Sequence, residues 1–420
     1  MSWLIGLVTL LSAILGTPLF IVLGGLALIL FHQVDSEPAL LIINLSKVSS
    51  QQAFVAIPLF TFAGYLLAES KAPERIIRVS RSIIGWFPGG LGIVGLLTCS
   101  VFTAFTGASG VTIIALGGLL FPALVKDGYG EKFSLGHITA SGSPGVLIFP
   151  SIPLILYSII SGTSFDDMKV ATLLPYMLMI TLLSLYCIYT AHRNAIPRQP
   201  VELSTIRPAL WDAKWELLLP VIVFGGIYGG FLTAAESAVM AAIYTLIIEV
   251  LVHRDITIKE GIPRIVRESM VLVGGIFLIM GAASAMSNYM VDEEIPDQLF
   301  EMLQNHIQNK YIFLGALTLF LLVVGAILDI FSAILVVVPL IVPVANSYGI
   351  DPVHLGVIFL ANLELGYCTP PVGMNLFISS FRFNKPVMEL YNAALPFLVF
   401  QVLAVLIVTF IPWFSLVLLH

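Results

Sequence analysis

The run LELGYCTPPVGMN, residues 363–375, lies inside an apolar stretch from Val353 to Ser380. It puts a carboxylate (Glu364), two glycines (Gly366, Gly373), adjacent prolines (Pro370, Pro371) and an amide (Asn375) where the middle of a membrane span is expected. Proline lacks an amide donor and clashes with the preceding turn, so no continuous helix passes this point. Non-helical backbone at bilayer depth persists only where protein encloses it or where it lines a polar cavity. The run therefore predicts a discontinuous helix at a binding site.

Composition sets the solvent. Of 420 residues, 58% are apolar and 10% charged, which makes this a polytopic membrane protein with no room for a soluble catalytic domain. A formal charge of −6 and the lack of any Lys/Arg tract give no reason to expect nucleic acid. Cys99, Cys187 and Cys368 lie in apolar surroundings without CxxC spacing, and the histidines show no ligand spacing. With no nucleophile–base pair either, a membrane enzyme is disfavoured. Residues 1–15 lack the basic start of a signal peptide and read as a retained membrane segment.

Apolar segments fall at 2–15, 17–31, 53–68, 89–124, 131–160, 170–191, 215–231, 236–252, 269–290, 311–345, 353–381 and 390–416. Segments 89–124 and 311–345 are too long for one span and short for two. Each half is roughly 25 Å as helix, below the ~30 Å of hydrocarbon. Their midpoints are polar or glycine-bearing, TGASG at 106–110 and GAILD at 325–329, so both are expected to be re-entrant hairpins. Sixteen of the nineteen Lys and Arg then fall in loops 71–81, 126–132, 193–214, 254–267 and 382–385, leaving Lys47, Lys169 and Lys310. The crowded side is cytoplasmic by the positive-inside rule. Residues 71–86 are amphipathic and suit an arm lying on that interface.

The chain also repeats. Pro122 to Pro150 and Pro343 to Pro371 are both 28 residues apart, with Gly128 and Gly349 each six residues after the first proline. Each hairpin precedes an interrupted helix, SGSPGVLIFPS (141–151) in one half and ELGYCTPPVGMN (364–375) in the other. The charge map makes the two halves inverted, and paired interrupted segments in inverted halves mark the site of a secondary transporter. No Lys or Arg lies deep in these segments. The breaks instead offer carbonyls near Gly107, Gly142, Gly325 and Gly366, with Thr106, Ser109, Thr112, Ser141, Ser143, Thr369 and Asn375 nearby. Oxygen-only ligation suits Na+, and helix N-termini after the breaks suit an anionic substrate. Asp329 reads either as a ligand or as a helix cap. Glu364 is expected to hydrogen-bond backbone, and Glu236 to be a first-turn acid.

The runs TGASGVT, SGSPGVLIFPSIPLILYS, GFLTAAESA and ILVVVPLIVPVANSYGIDPVHLGVIFLANLELGYCTPPVGMNLFISS are similar to the large membrane subunit of tripartite ATP-independent periplasmic (TRAP) transporters. The resemblance covers nearly the whole chain and is most specific at 339–380. It implies an all-α elevator fold in a bacterial inner membrane, importing a carboxylate with Na+. Sialic acid, a C4-dicarboxylate or a sugar acid would fit. It also implies two partners, a small four-helix membrane subunit and a periplasmic substrate-binding protein. A stand-alone Na+- or H+-coupled carboxylate transporter is the alternative. Family Na+ sites would map to Thr106–Thr112 with Ser141–Gly145, and to Gly325–Asp329 with Gly366–Asn375. Substrate would meet Ser109, Ser143, Asp329, Thr369, Pro370 and Asn375. The implied parts are scaffold and cytoplasmic arm at 1–88, hairpin and broken helix at 89–160, scaffold and periplasmic arm at 161–310, a second hairpin and broken helix at 311–382, and a C-terminal transmembrane helix at 383–420. One departure is local: many members carry two prolines at the first break, where this chain has Phe149-Pro150-Ser151.

Overall fold

The computed structural model describes residues 17–33, 53–84, 86–196, 203–370 and 372–419. The expected span at 2–15, Lys47 and Pro371 lie outside the described residues. The regular structure among them is all helical, with no strand. In order they form α1 (Leu19–Gln33), α2 (Ala53–Glu69), α3 (Ala72–Ile84), α4 (Gly90–Thr106), α5 (Ser109–Lys126) and α6 (Glu131–Ser141). A short 3-10 turn (Ser143–Leu147) leads into α7 (Ile152–Ser161), α8 (Phe165–Ala171), α9 (Leu173–Arg193), α10 (Leu203–Asp212) and α11 (Lys214–Tyr228). Next come α12 (Ala234–Leu246), ending in a π turn (Ile247–Val252), then α13 (Gly261–Asp292), α14 (Ile295–Gln304), α15 (Lys310–Ile327) and α16 (Ile330–Ser347). The chain closes with α17 (Pro352–Gly366), α18 (Met374–Phe383), α19 (Val387–Phe410) and α20 (Trp413–Leu416). Seven of these helices are long and apolar enough to cross a membrane, up to nine when two bent pairs are each taken as one span.

The helices stop where the sequence supplies a reason. Gly107 adopts φ +70°, ending α4, and an extended Ala108 starts α5. At the second hairpin Asp329 is extended and caps α16, accepting from Ser332 N at 3.0 Å and from the Ser332 hydroxyl. The first interrupted helix bends by 42° across its break. In the second, α17 ends at Gly366, and Gly373, at φ +60°, starts α18. Glu236 completes a capping box with Thr233, taking the Thr233 amide at 2.8 Å, as its first-turn position implies.

The two halves interlock rather than stand side by side. The return arm of the first hairpin, α5, packs on α18, the half-helix after the second break. The return arm of the second, α16, packs on α7, the half-helix after the first break. Within the second half, α15 and α17 touch backbone to backbone: a Cβ on Gly366 would sit 2.7 Å from the Gly325 Cα. Around this core, α2 packs on α12 and α13, and Gly64 of α2 approaches the first hairpin tip so closely that a Cβ would stand 2.7 Å from the Phe105 carbonyl oxygen.

The arm expected at 71–86 is α3, bent 74° from α2. Its Arg75 is a three-way anchor, paired with Glu216 of α11, with Glu249 in the π turn at 2.9 Å and with Asp255 at 2.7 Å. Arg81 reaches Asp127 at the end of α5, at 2.6 Å. Outward-facing apolar side chains such as Phe381 and Phe231, 94% and 83% exposed, need lipid or a partner as solvent.

Candidate functional site

The first hairpin tip, the first break and the second break converge on one buried polar cluster. Ser109, the first residue of α5, donates its hydroxyl to Asn375 Oδ1 at 2.9 Å, joining the tip of one half to the break of the other. Asn375 Nδ2 in turn contacts Cys368 Sγ at 3.7 Å, and Cys368 lies 3.6 Å from the Thr139 carbonyl oxygen on α6. The Thr139 hydroxyl bonds Ser379 of α18 at 2.9 Å. Gly142 lets the first break close on the tip, since a Cβ there would meet Ser109 Cβ and Thr103 Oγ1 at 3.0 Å. Gly145 is tighter still, with Ser100 O 2.1 Å from where its Cβ would stand. Two glycines are needed because two backbones share this space.

Inside the cluster several polar groups lack partners. Glu364 and Ser143 are each 2% exposed, and neither Glu364 oxygen nor the Ser143 hydroxyl makes a hydrogen bond. Ser109 and Ser143 are the polar side chains that face Glu364. Buried polar groups are almost always paired, so these atoms are candidate contacts for a bound ion or solute.

The second hairpin tip and its own break form a separate group. The Tyr367 hydroxyl takes the Ile330 amide at the start of α16, and Gly373 N donates to Ala326 O at 3.0 Å. Thr369 caps the break, both its amide and its hydroxyl bonding Gly366 O at 2.9 Å. Asp329 faces this group while its two oxygens hold Ser332.

Residues 3–414 match the family described as tripartite ATP-independent periplasmic transporter, DctM component. The chain belongs to that family. A C4-dicarboxylate TRAP transporter large permease protein DctM of Vibrio cholerae is 32% identical, over 96% of this chain and 94% of its own. The isethionate TRAP transporter permease protein DctMQ of Oleidesulfovibrio alaskensis is 31% identical over 95% of this chain, which spans 63% of that longer protein. The ectoine TRAP transporter large permease protein TeaC of Halomonas elongata is 28% identical, covering 96% and 95%. Among solved structures, the Alcanivorax borkumensis YdaH transporter shares the fold, with a TM-score of 0.63 at 15% identity over 89% of this chain and 87% of that one.

In this DctM-family chain the residues singled out from sequence thus divide in two. Ser109, Ser143, Gly142, Gly145 and Asn375 meet in the first cluster; Gly325, Asp329, Gly366 and Thr369 meet in the second, where Pro370 is exposed. Thr106, Thr112 and Ser141 bond within their own half: Thr106 to Ala108 O at 3.3 Å, Thr112 to Thr103 Oγ1 at 2.6 Å, Ser141 to His137 O at 2.5 Å. Free carbonyls were expected near Gly142 and Gly366; the carbonyls of these two residues each take an amide, Gly145 N at 3.0 Å and Thr369 N at 2.9 Å, as the chain tightens into short turns at the breaks.

Two side chains depart from their sequence reading. Glu364, expected to bond backbone, bonds none: it sits in the last turn of α17, where the carbonyls around it cannot donate to a carboxylate and the amides are used by the helix. Gln401 of α19, which no motif singles out, donates its Nε2 to Ala140 O at 3.1 Å, covering a carbonyl next to the first break. An amide deep in the apolar run 390–416 was the available signal.

Proposed function

We propose that this chain is the Na+-coupled membrane permease of a TRAP system, carrying a small organic acid inward. The observation that carries the proposal is the Ser109–Asn375 contact, by which a hairpin tip of one half and a helix break of the other build one buried, oxygen-lined site. Hydroxyl, amide and carbonyl oxygens without a basic residue are the donor set of a hard monovalent cation. The relatives named for C4-dicarboxylate, isethionate and ectoine favour a small acidic or zwitterionic solute, and sialic acid is a further member of that chemical class.

In this reading residues 89–160 and 311–382 are the moving part, their hairpins re-entrant from opposite faces, and the remaining helices with α3 and α14 are the scaffold. The interlocked arms support it, because α5 on α18 and α16 on α7 make the two halves one body. Helix N-termini at α5 and α18 offer amides to the substrate's anionic group. A periplasmic binding protein delivers the solute, and a small four-helix subunit flanks the scaffold. The inner membrane is the site of action, with the sixteen-cation side cytoplasmic.

The test is uptake into proteoliposomes holding the permease and both partners, using the solute that the purified binding protein retains. Uptake is expected to require an inward Na+ gradient. Equal uptake with choline outside, driven by a pH gradient alone, overturns Na+ coupling.

A further inference from the structure

A polar cavity of about 400 Å³ opens where α3 meets the start of α11, far along the chain from the hairpins and breaks. Arg75 and His253 line it, but both are engaged with acids: Arg75 with Glu216, Glu249 and Asp255, and His253 Nε2 3.3 Å from Glu216 Oε1. Arg78 shares Asp212 at 3.2 Å. Lys71 and Lys214 enter none of the ion pairs among the described residues. The Lys71 amide is fixed by Asp255 Oδ2 at 3.1 Å, which leaves its ammonium group free at the cavity. The Lys214 ammonium lies 3.5 Å from the centre of the Trp211 ring and 5.1 Å from that of Trp215, a cation–π arrangement. With Arg75 matched by its acids, the remaining lining sets Lys71, Arg78 and Lys214 against Glu74 and Asp212, one positive charge in excess.

The surroundings of the cavity are those of a membrane surface. Amphipathic α3 turns 74° from α2, so it runs along the bilayer that α2 enters. Trp211 is 69% exposed, and further along α11 Leu218 and Val221 are 39% and 65% exposed. Positions 214, 218 and 221 share one helix face, which puts a free cation at the head of an apolar stripe.

We propose that this cavity binds the headgroup of an anionic phospholipid, with Lys71 and Lys214 on its phosphodiester and Leu218 and Val221 along an acyl chain. One phosphodiester balances the single excess charge, whereas a zwitterionic headgroup brings a cation of its own. A soluble phosphate would leave the exposed indole and the apolar stripe unused. Indole rings favour the headgroup level of a bilayer, where Trp211 then sits. Because Lys71 belongs to the arm and Lys214 to α11, a bound lipid bridges the two elements that Arg75 also joins.

Titration of the detergent-purified chain with short-chain phosphatidylglycerol, read by tryptophan fluorescence and melting temperature, tests this. Saturable binding is expected, with phosphatidylcholine roughly tenfold weaker or worse. The double variant Lys71→Gln, Lys214→Gln should bind phosphatidylglycerol roughly tenfold more weakly or worse, each lysine being worth a factor of about five. Lys126→Gln with Lys132→Gln removes the same charge from another loop and should change the affinity less than about twofold. None of the four lysines is buried, so both double variants should melt like wild type without lipid. Equal losses in the two double variants, or equal binding of the two lipids, would mean diffuse attraction to basic loops and overturn the site. Glycerol 3-phosphate binding as tightly as the lipid would make the ligand a soluble phosphate and overturn the lipid. The titration is expected to be unchanged on the chain held with a small TRAP membrane subunit. Loss of binding there would show that protein covers the cavity, which also overturns the lipid as its occupant.

Discussion

Gly366 and Gly325 decide how near α15 comes to α17, and no side chain other than hydrogen fits. A methyl on Gly366 would stand 2.7 Å from both Cα and carbonyl C of Gly325. Those are backbone atoms, which cannot swing aside as a side-chain tip can. Gly366→Ala should therefore cost about 1–3 kcal/mol, the range of overpacking, seen as a lower melting temperature in detergent. Gly274→Ala is the control, since nothing lies within 4 Å of its Cβ position, and its melt should be unchanged. A melt for Gly366→Ala equal to that control would show the two helices free to part. At this scale the sequence was informative about type and silent about partner. Gly366 stood out because it preceded two prolines, but only the fold could say that its neighbour is Gly325, some forty residues earlier. Glu364 shows the opposite failure: a carboxylate inside a helix looks satisfied from sequence, and whether a donor reaches it depends on what packs against that face.

Among the elements, α3 is the clearest case of a surface helix whose role lies in its attachments. Its amphipathic pattern was legible at 71–86, since charge and apolar residues alternate at helical spacing. That Arg75 faces Glu216, Glu249 and Asp255 was not legible, because those residues come from three later segments. One cation holds three carboxylates, two of them almost wholly buried, with side-chain exposures of 0% and 1%. Removing the cation strands the acids, whereas removing one acid relieves their mutual repulsion. Arg75→Met should thus destabilise by about 3–5 kcal/mol, the cost of breaking a buried pair from one side. Glu249→Gln should cost distinctly less. Urea or thermal unfolding of the two variants checks the order, and equal losses would mean that Arg75 acts through packing and not through charge.

For the whole molecule, the elevator proposal requires the arm and the first hairpin to part during turnover. In this structure they are pinned by Arg81 to Asp127 at 2.6 Å, between α3 and the end of α5. Cysteines at these two positions, in a background lacking Cys99, Cys187 and Cys368, should accept a short reducible bis-maleimide. The link is expected to stop uptake and reductant to restore it; full uptake through an intact link would mean that the hairpin does not move past the arm. The sequence by itself determined the membrane environment, the two helical hairpins with their broken helices, and the family. Each of these rests on local features, apolar length and Gly/Pro spacing, that persist whatever the neighbours are. Only the tertiary structure decided that α5 packs on α18 and α16 on α7, that Ser109 meets Asn375, and that Glu364 is left without a donor. Those outcomes depend on which faces of distant helices come together. In a membrane the hydrophobic effect, nearly equal on every apolar face, does not select them, so close backbone approach and buried polar pairing do.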